Sequence, residues 1–382
     1  MKRARNFRVY FLLAVLLTVA AVIISREHRP SFLRPGLRLY AYVSTADGSV
    51  AVVDLVKLAA VAHVPVGPGI SGMREHPTRA EVWGASSGGG YVWVLDSTSS
   101  RIGARIPVGS APYSIDFSPD GEILYTTASG DNALVAVDCR SRRVVGRAQT
   151  GREPVLARIT PDGKSVLVLN HRDGTLEIHD AATLALRSSV GVIESPEKIV
   201  VLPDSSVAFV TNRTQARLSV VDLRRSVLVA NLELAGVPTD MLLKPDGGEL
   251  YVVSPEAHGL QAIDTWTHEV GDYMVLGSGP TRGVLSADAS TLYVSDTAAG
   301  HVIPVDIANR RVIRPVGTTK EFPIQAGQAP GALRFDVDPE ERLLVVVNQG
   351  SGDIAVIRVL TNSLLTMIPV GDRPQELAVK LF

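Results

Sequence analysis

Histidines, one cysteine and evenly spaced aspartates are the residues of this 382-residue chain whose types could do chemistry. His28, His63, His76, His171, His179, His258, His268 and His301 are scattered, and no pair has metal-ligand spacing on one element. His76 and His179 read as surface or rim residues. His171 and His258 fall in turns, where either could serve as a single axial ligand to a haem-like group or simply be solvated. The lone Cys139 excludes an internal disulfide and a Cys-rich zinc site, and without a C-x-x-C-H there is no covalently attached c-type haem. Gly67 to Gly72 spell G-x-G-x-x-G, but a strand follows where a dinucleotide site needs a helix N-terminus. Gly84 to Gly88 spell G-x-S-x-G within a hairpin turn, with no His or acid placed to complete a triad. No catalytic, cofactor-binding or metal-ligating residue is therefore expected.

The aspartates carry a different message. Asp54, Asp96, Asp138, Asp180, Asp222, Asp264 and Asp306 are each 42 residues apart. They close short apolar runs such as VAVVD, LVAVD and LSVVD, and an eighth run, DIAVIR, ends at Arg358. Their expected role is to cap the following turn by accepting backbone N–H bonds rather than to share an ion. Turn tetrads recur in phase upstream: S-P-D-G at 118–121, T-P-D-G at 160–163, L-P-D-S at 202–205 and K-P-D-G at 244–247. Degenerate versions are H-P-T-R at 76–79 and S-A-D-A at 286–289. P-V-G at 65–67, 107–109, 315–317 and 369–371 ends a further strand, and a Pro usually opens the next unit.

Each unit thus holds four short strands, A to D, with no room for a helix, which is the signature of a propeller blade. The fold expected is all-β, a β-propeller of eight four-stranded blades, with seven as the alternative. The body begins at Pro35 with strands B, C and D of one blade and ends with a lone strand A at 375–382, which should pair with the first segment and close the ring. The regular spacing breaks at one place. An eight-residue insertion, GTTKEFPI at 317–324, should add Lys320 and Phe322 to the face carrying the D-to-A connections.

The units resemble YVTN-type β-propeller repeats. The resemblance rests on the Pro, the S-P-D-G turn, the strand L-Y-V-S-D at 292–296 or F-V-T-N at 209–212, the run V-x-V-[IV]-D and a strand ending V-G. It covers about nine-tenths of the chain and implies a fold, not a function, because one propeller scaffold carries many unrelated sites. In architecture alone, an eight-bladed ring is also similar to the haem-binding propeller of dissimilatory nitrite reductases. Propellers of this shape include lactonases and quinoprotein subunits. A lactonase-like reading would assign Asp240 and Glu376, beside Arg282, as an acid/base pair.

In a propeller the A strands converge on the axis. One register position there reads Gly72, Ser114, Leu156, Lys198, Asp240, Arg282, Ala332 and Glu376, and two residues deeper lie Arg74, Asp116, Arg158 and Arg334. A packing strand needs no such charges. A water-filled channel with charges paired across it and a polar ligand site both account for them. The candidate ligand-binding residues are Lys198, Asp240, Arg282, Glu376, Ser114, Arg74, Arg158, Lys320 and Phe322.

The near-zero net charge divides into two parts. Residues 1–35 hold seven basic residues and one acidic, and the remainder has 31 basic against 38 acidic. Basic residues precede the uncharged run from Val9 to Ser25, whose 17 residues are at the lower limit for spanning a bilayer. The organisation expected is residues 1–34 as cytoplasmic tip, single-pass membrane anchor and linker, and 35–382 as one propeller on the extracytoplasmic (periplasmic) side. Secretion after cleavage is the alternative. The acidic body argues against nucleic acid as a partner. The function expected is a non-catalytic binding module for a small polar ligand or a protein partner. A propeller enzyme or cofactor carrier, and an envelope scaffold using the rim, are the alternatives.

Overall fold

Strands B and C are buried along almost their whole length, as in Leu39–Ser44, Glu81–Ser86 and Leu343–Asn348. Both of their faces are covered by neighbouring sheets, so they read as near-continuous apolar runs rather than alternating ones. The outer D strands alternate instead, as in Arg101–Pro107 and Val227–Glu233, because one face meets solvent. The computed structural model describes residues 38–313, 324–335 and 342–382. The expected membrane segment at 9–25, its linker, Lys320 and Phe322 lie outside the described residues. Among the described residues no helix is long and apolar enough to cross a membrane.

These strands form eight sheets, seven with four strands and one with five. In each, the order is A-B-C-D from axis to rim. The innermost strands, blade by blade, are Leu377–Leu381, Ile70–Glu75, Pro112–Phe117, Pro154–Ile159, Lys198–Val201, Asp240–Leu243, Pro280–Leu285 and Pro330–Phe335. Blade 1 is shared between the two ends of the propeller. Its strand A, Leu377–Leu381, pairs antiparallel with Leu39–Ser44, setting Tyr42 opposite Ala378, and the rings of Tyr40 and Phe382 stack 5.5 Å apart. The ring is closed and no inner edge is left open. Leu39–Phe382 form one compact unit.

The periodic aspartates act locally. Asp54, Asp96, Asp138, Asp180, Asp222, Asp264 and Asp306 each accept a backbone N–H two or three residues on, in the turn from strand C to strand D. The A-to-B turns repeat a second device. In Ser118–Gly121 the Asp120 carboxylate accepts from the Ser118 hydroxyl and the Glu122 N–H, and Gly121 takes φ of 75°. At 76–79 the imidazole of His76 substitutes for it, with Nδ1 accepting from Thr78 and Arg79 N–H.

Adjacent sheets pack face to face. Trp83 of blade 2 meets Phe117 of blade 3 edge-on at 5.9 Å, and its indole N–H donates to Glu81, whose other oxygen holds Arg142 of blade 3. Four blades on, the pattern returns: Glu249 accepts from the Tyr251 hydroxyl and holds Arg310 of blade 7.

Three expectations are corrected. The insertion is not at a D-to-A connection. Two short segments, Arg311–Val312 and Ile324–Gln325, both pair with strand C of blade 7, His301–Asp306, so strand D of that blade is divided between them, and residues 314–323 lie outside the described residues. Ala326 and Gly327 donate to Gly300 O, as Val66 and Gly67 do to Gly48 O. They end that strand, and Val316 and Gly317 lie outside the described residues. His76 and His179 are not surface residues, since both are fully buried. His179 Nε2 lies 3.0 Å from Glu177 and its Nδ1 bonds Leu184 O, while burial lowers the His76 imidazole. Cys139 is buried, and burial pushes its thiol up to about 12.

Candidate functional site

Successive residues of a strand point to opposite faces, so only alternate positions of each A strand face the axis. The open end of that axis forms a cavity of about 760 Å³. Among the described residues its lining includes six cations, Arg74, Arg158, Lys198, Arg213, Arg282 and Arg334, and four carboxylates, Glu153, Glu197, Asp240 and Glu376.

Neighbouring blades bring residues 42 apart side by side, and two carboxylates each join two cations in this way. Near the mouth, Asp240 Oδ1 lies 2.6 Å from Lys198 Nζ and 3.7 Å from an Arg282 nitrogen, while Oδ2 accepts the Gly283 N–H. Lys198 Nζ also donates to Thr239 O. Burial lowers the lysine's affinity for its proton, Asp240 opposes that effect, and Arg282 adds to it. On the floor, the buried Asp116 lies 3.6 Å from Arg74 Nε and 3.5 Å from an Arg158 nitrogen, and it accepts the Ile159 N–H at 3.1 Å. Arg74 Nε donates to Ile115 O as well. Burial pulls the Arg158 guanidinium down, Asp116 holds it up, and Arg74 and Arg334 press it down further.

Of the residues singled out by sequence, Lys198, Asp240, Arg282, Glu376, Arg74 and Arg158 line this one cavity. Ser114 does not. Its hydroxyl accepts the Ala157 N–H of the next blade at 2.8 Å and is a blade-to-blade tie. Glu376 is exposed, and its backbone N–H is held by the Ser44 hydroxyl. Both oxygens of Asp240 are engaged, and Glu376 stands on another blade of the same cavity. Sequence reasoning passed over Arg213 and Glu153. Arg213 stands in a B-to-C turn, where it pairs with Glu197, and Glu153 directly precedes strand A of blade 4, where it pairs with Arg172. Their signal was available, because B-to-C turns and D-to-A connections share one end of a blade. His171, in another B-to-C turn, also lines the wall, with a buried Nδ1 that has no hydrogen-bond partner. No group of three or more His, Cys, Asp or Glu that could hold a metal ion occurs among the described residues.

Eight blades around a charged axial well define a β-propeller with a polar mouth. The model of the YNCE-like beta-propeller family matches residues 90–292, more than half of the chain. The chain belongs to that family. No curated protein matches it. Among solved structures it is similar to "Dihydro-heme d1 dehydrogenase NirN in complex with DHE", with 17% identity, a TM-score of 0.73, and 92% of this chain and 77% of that one covered. It is also similar to Kuenenia stuttgartiensis hydrazine synthase, at 16% identity and a TM-score of 0.59, with 77% of this chain and 96% of that one covered. A functionally unknown protein from Desulfotomaculum acetoxidans DSM 771 is 14% identical with a TM-score of 0.60, covering 77% and 97%. At these identities the likeness speaks for the fold alone.

Proposed function

We propose that this protein is an exported, membrane-tethered propeller with YVTN-type repeats. It acts as a binding module without chemistry of its own, and takes a small polar ligand through the axial cavity. The observation that carries this reading is the charged lining of a cavity whose volume falls in the range of small-molecule sites. Its side chains are fixed in advance by cross-blade ion pairs, so little ordering entropy opposes a ligand. Arg282 and Glu376 stand free enough at the mouth to meet one. The test is a thermal-shift and native mass-spectrometry screen of the purified protein against small polar molecules. Arg282→Ala and Glu376→Ala should weaken a hit by about tenfold or more. Binding unchanged in both would move the interface to the rim.

A second reading, a carrier of a carboxylate-bearing tetrapyrrole, has one observation in its favour. His171 presents a buried, unpartnered Nδ1 beside a cavity rich in arginines, and the neighbour named above was solved with DHE bound. In that case the imidazole would be an axial ligand and the arginines would hold the carboxylates. A visible absorption spectrum of the protein as isolated, and after mixing with haem, separates the two readings. No visible band in either sample, or a band unchanged by His171→Ala, would sink the carrier.

A further inference from the structure

At the floor of the cavity the charges do not balance. Strand pairing aligns Arg74, Asp116, Arg158, Val200, Leu242, Val284, Arg334 and Ala378 at one level, opposite residues such as Trp83, Tyr125 and Leu167 of strand B. Three guanidiniums share that level with a single carboxylate. One level up, Lys198 and Arg282 are matched by Asp240 and Glu376. A channel that merely holds water has no need for an unbalanced level, since like charges at close quarters cost energy that pairing would relieve.

The donors at the floor are also only partly used. Asp116 spends Oδ2 on the Ile159 N–H and on Arg158, and Oδ1 faces Arg74. Arg334 makes no ion pair among the described residues. Among the described residues the acceptors these arginines meet are Ile115 O and Asp116, so donors are left facing the well. Val200, Leu242 and Val284 leave the opposite side uncharged. Arginine presents its donors as a planar fork that fits the oxygens of phosphate or carboxylate two at a time.

We propose that the floor of the axial cavity binds a doubly charged oxyanion, the phosphate of a small monoester or the two carboxylates of a small diacid, held by Arg74, Arg158 and Arg334. This rests on the axial cavity being the binding site. It adds the ligand's charge, its depth and the residues that read it. A dianion brings this level to neutrality, whereas a single carboxylate leaves one guanidinium unmatched.

The test uses the whole protein in low-chloride buffer, with inorganic phosphate, succinate and acetate as probes for calorimetry and thermal shift. Phosphate or succinate should bind with a millimolar or tighter Kd and raise Tm, and acetate should bind about tenfold more weakly or worse. A preference for phosphate selects the monoester, and a preference for succinate the diacid. Arg334→Ala removes a side chain with no ion-pair partner among the described residues, so its unliganded Tm should equal or exceed that of the parent while its affinity for the dianion falls about tenfold or more. No response to either dianion, or equal affinity in Arg334→Ala, overturns the proposal. If neutral or cationic molecules bind in a manner lost in Arg282→Ala while the dianions do not, this inference fails and the cavity reading stands. If nothing binds, both fail.

Discussion

Asp116 is the carboxylate on which the floor of the well depends, and its removal should be among the costlier single changes at the axis. The side chain is 7% exposed, accepts the Ile159 N–H across the blade boundary, and stands between Arg74 and Arg158. Asp116→Ala leaves that N–H without its acceptor, which costs about 1–3 kcal/mol. It also strips two guanidiniums of the carboxylate between them. Breaking a fully buried pair costs about 3–5 kcal/mol. The arginine side chains retain 34% and 31% exposure, so water takes back a large part of that figure. The two contributions together come to about 3 kcal/mol. For a body of roughly 340 residues melting as one unit, with about 2.1 cal/mol/K of unfolding entropy per residue, this is a fall in Tm of about 4 °C.

The control is Asp116→Asn, which keeps an oxygen for Ile159 and loses only the charge, and should give up about half as much. In a double-mutant cycle by urea denaturation, Asp116→Ala and Arg158→Ala should couple by about 1 kcal/mol or more, since deleting the second arginine removes a charge the first deletion left unpaired. Added phosphate should narrow the gap between Asp116→Ala and the parent, because the variant has one more uncompensated positive charge for an oxyanion to meet. A loss within about 0.5 kcal/mol of the parent, or strict additivity in the cycle, would refute this account and make the trio an ordinary solvated surface pair.

Stability should fall steeply in acid. Asp138, Asp180, Asp246 and Asp264 are held below the usual carboxylate range first by backbone N–H groups, and Asp96, Asp120 and Asp288 first by neighbouring hydroxyls. A carboxyl whose folded pKa is depressed stabilises the protein above its unfolded pKa and loses that contribution as pH drops through the folded one. Tm should therefore hold between pH 6 and 5 as far as these groups are concerned and decline progressively below about pH 4, with many turns acting in the same direction. A Tm unchanged between about pH 5 and pH 3 would contradict the turn assignments. Cys139, with its thiol raised by burial, should resist Ellman's reagent in the folded protein and react fully in urea; stoichiometric labelling without denaturant would show that the turn around it opens. Deleting Leu377–Phe382 removes the strand paired to the axial side of Leu39–Ser44, and should yield an aggregating or unfolded chain by circular dichroism and gel filtration rather than a stable ring with one three-stranded blade.

Much of the fold was legible because propeller geometry is written in local turn chemistry. An aspartate that caps a C-to-D turn needs only the next three residues, and the same need recurs every 42. What local chemistry cannot show is pairing at a distance. Pro315-Val-Gly317 has the sequence of a strand end, yet Ala326 and Gly327 take the Gly300 carbonyl, a choice made through strand C some two dozen residues earlier. His179 reads as polar and hence exposed. It is buried because Glu177, two residues back on the same face of the strand, supplies its partner. Ser114 reads as a ligand residue until Ala157 of the next blade is seen to occupy its hydroxyl.

The repeat length carried more than the fold. In a closed ring, a residue and its counterpart 42 positions on are spatial neighbours, so the repeat length is also a contact rule. Arg74, Asp116 and Arg158 are successive at that spacing, as are Lys198, Asp240 and Arg282, and both sets are joined as the rule requires. The cross-blade bond from Thr239 to Thr281 obeys it too. Two cation–carboxylate–cation trios were therefore implicit in the spacing of the charges alone. Arg334 stands at the level of the first trio once the eight-residue insertion is allowed for. Its pairing opposite Val345 sets it level with Arg74 and Arg158. Arg74 and Arg158 already outnumber Asp116, and Arg334 raises the excess at this level from one positive charge to two. The imbalance could therefore be read in the spacing, and what strand register adds is that all four charges share one level.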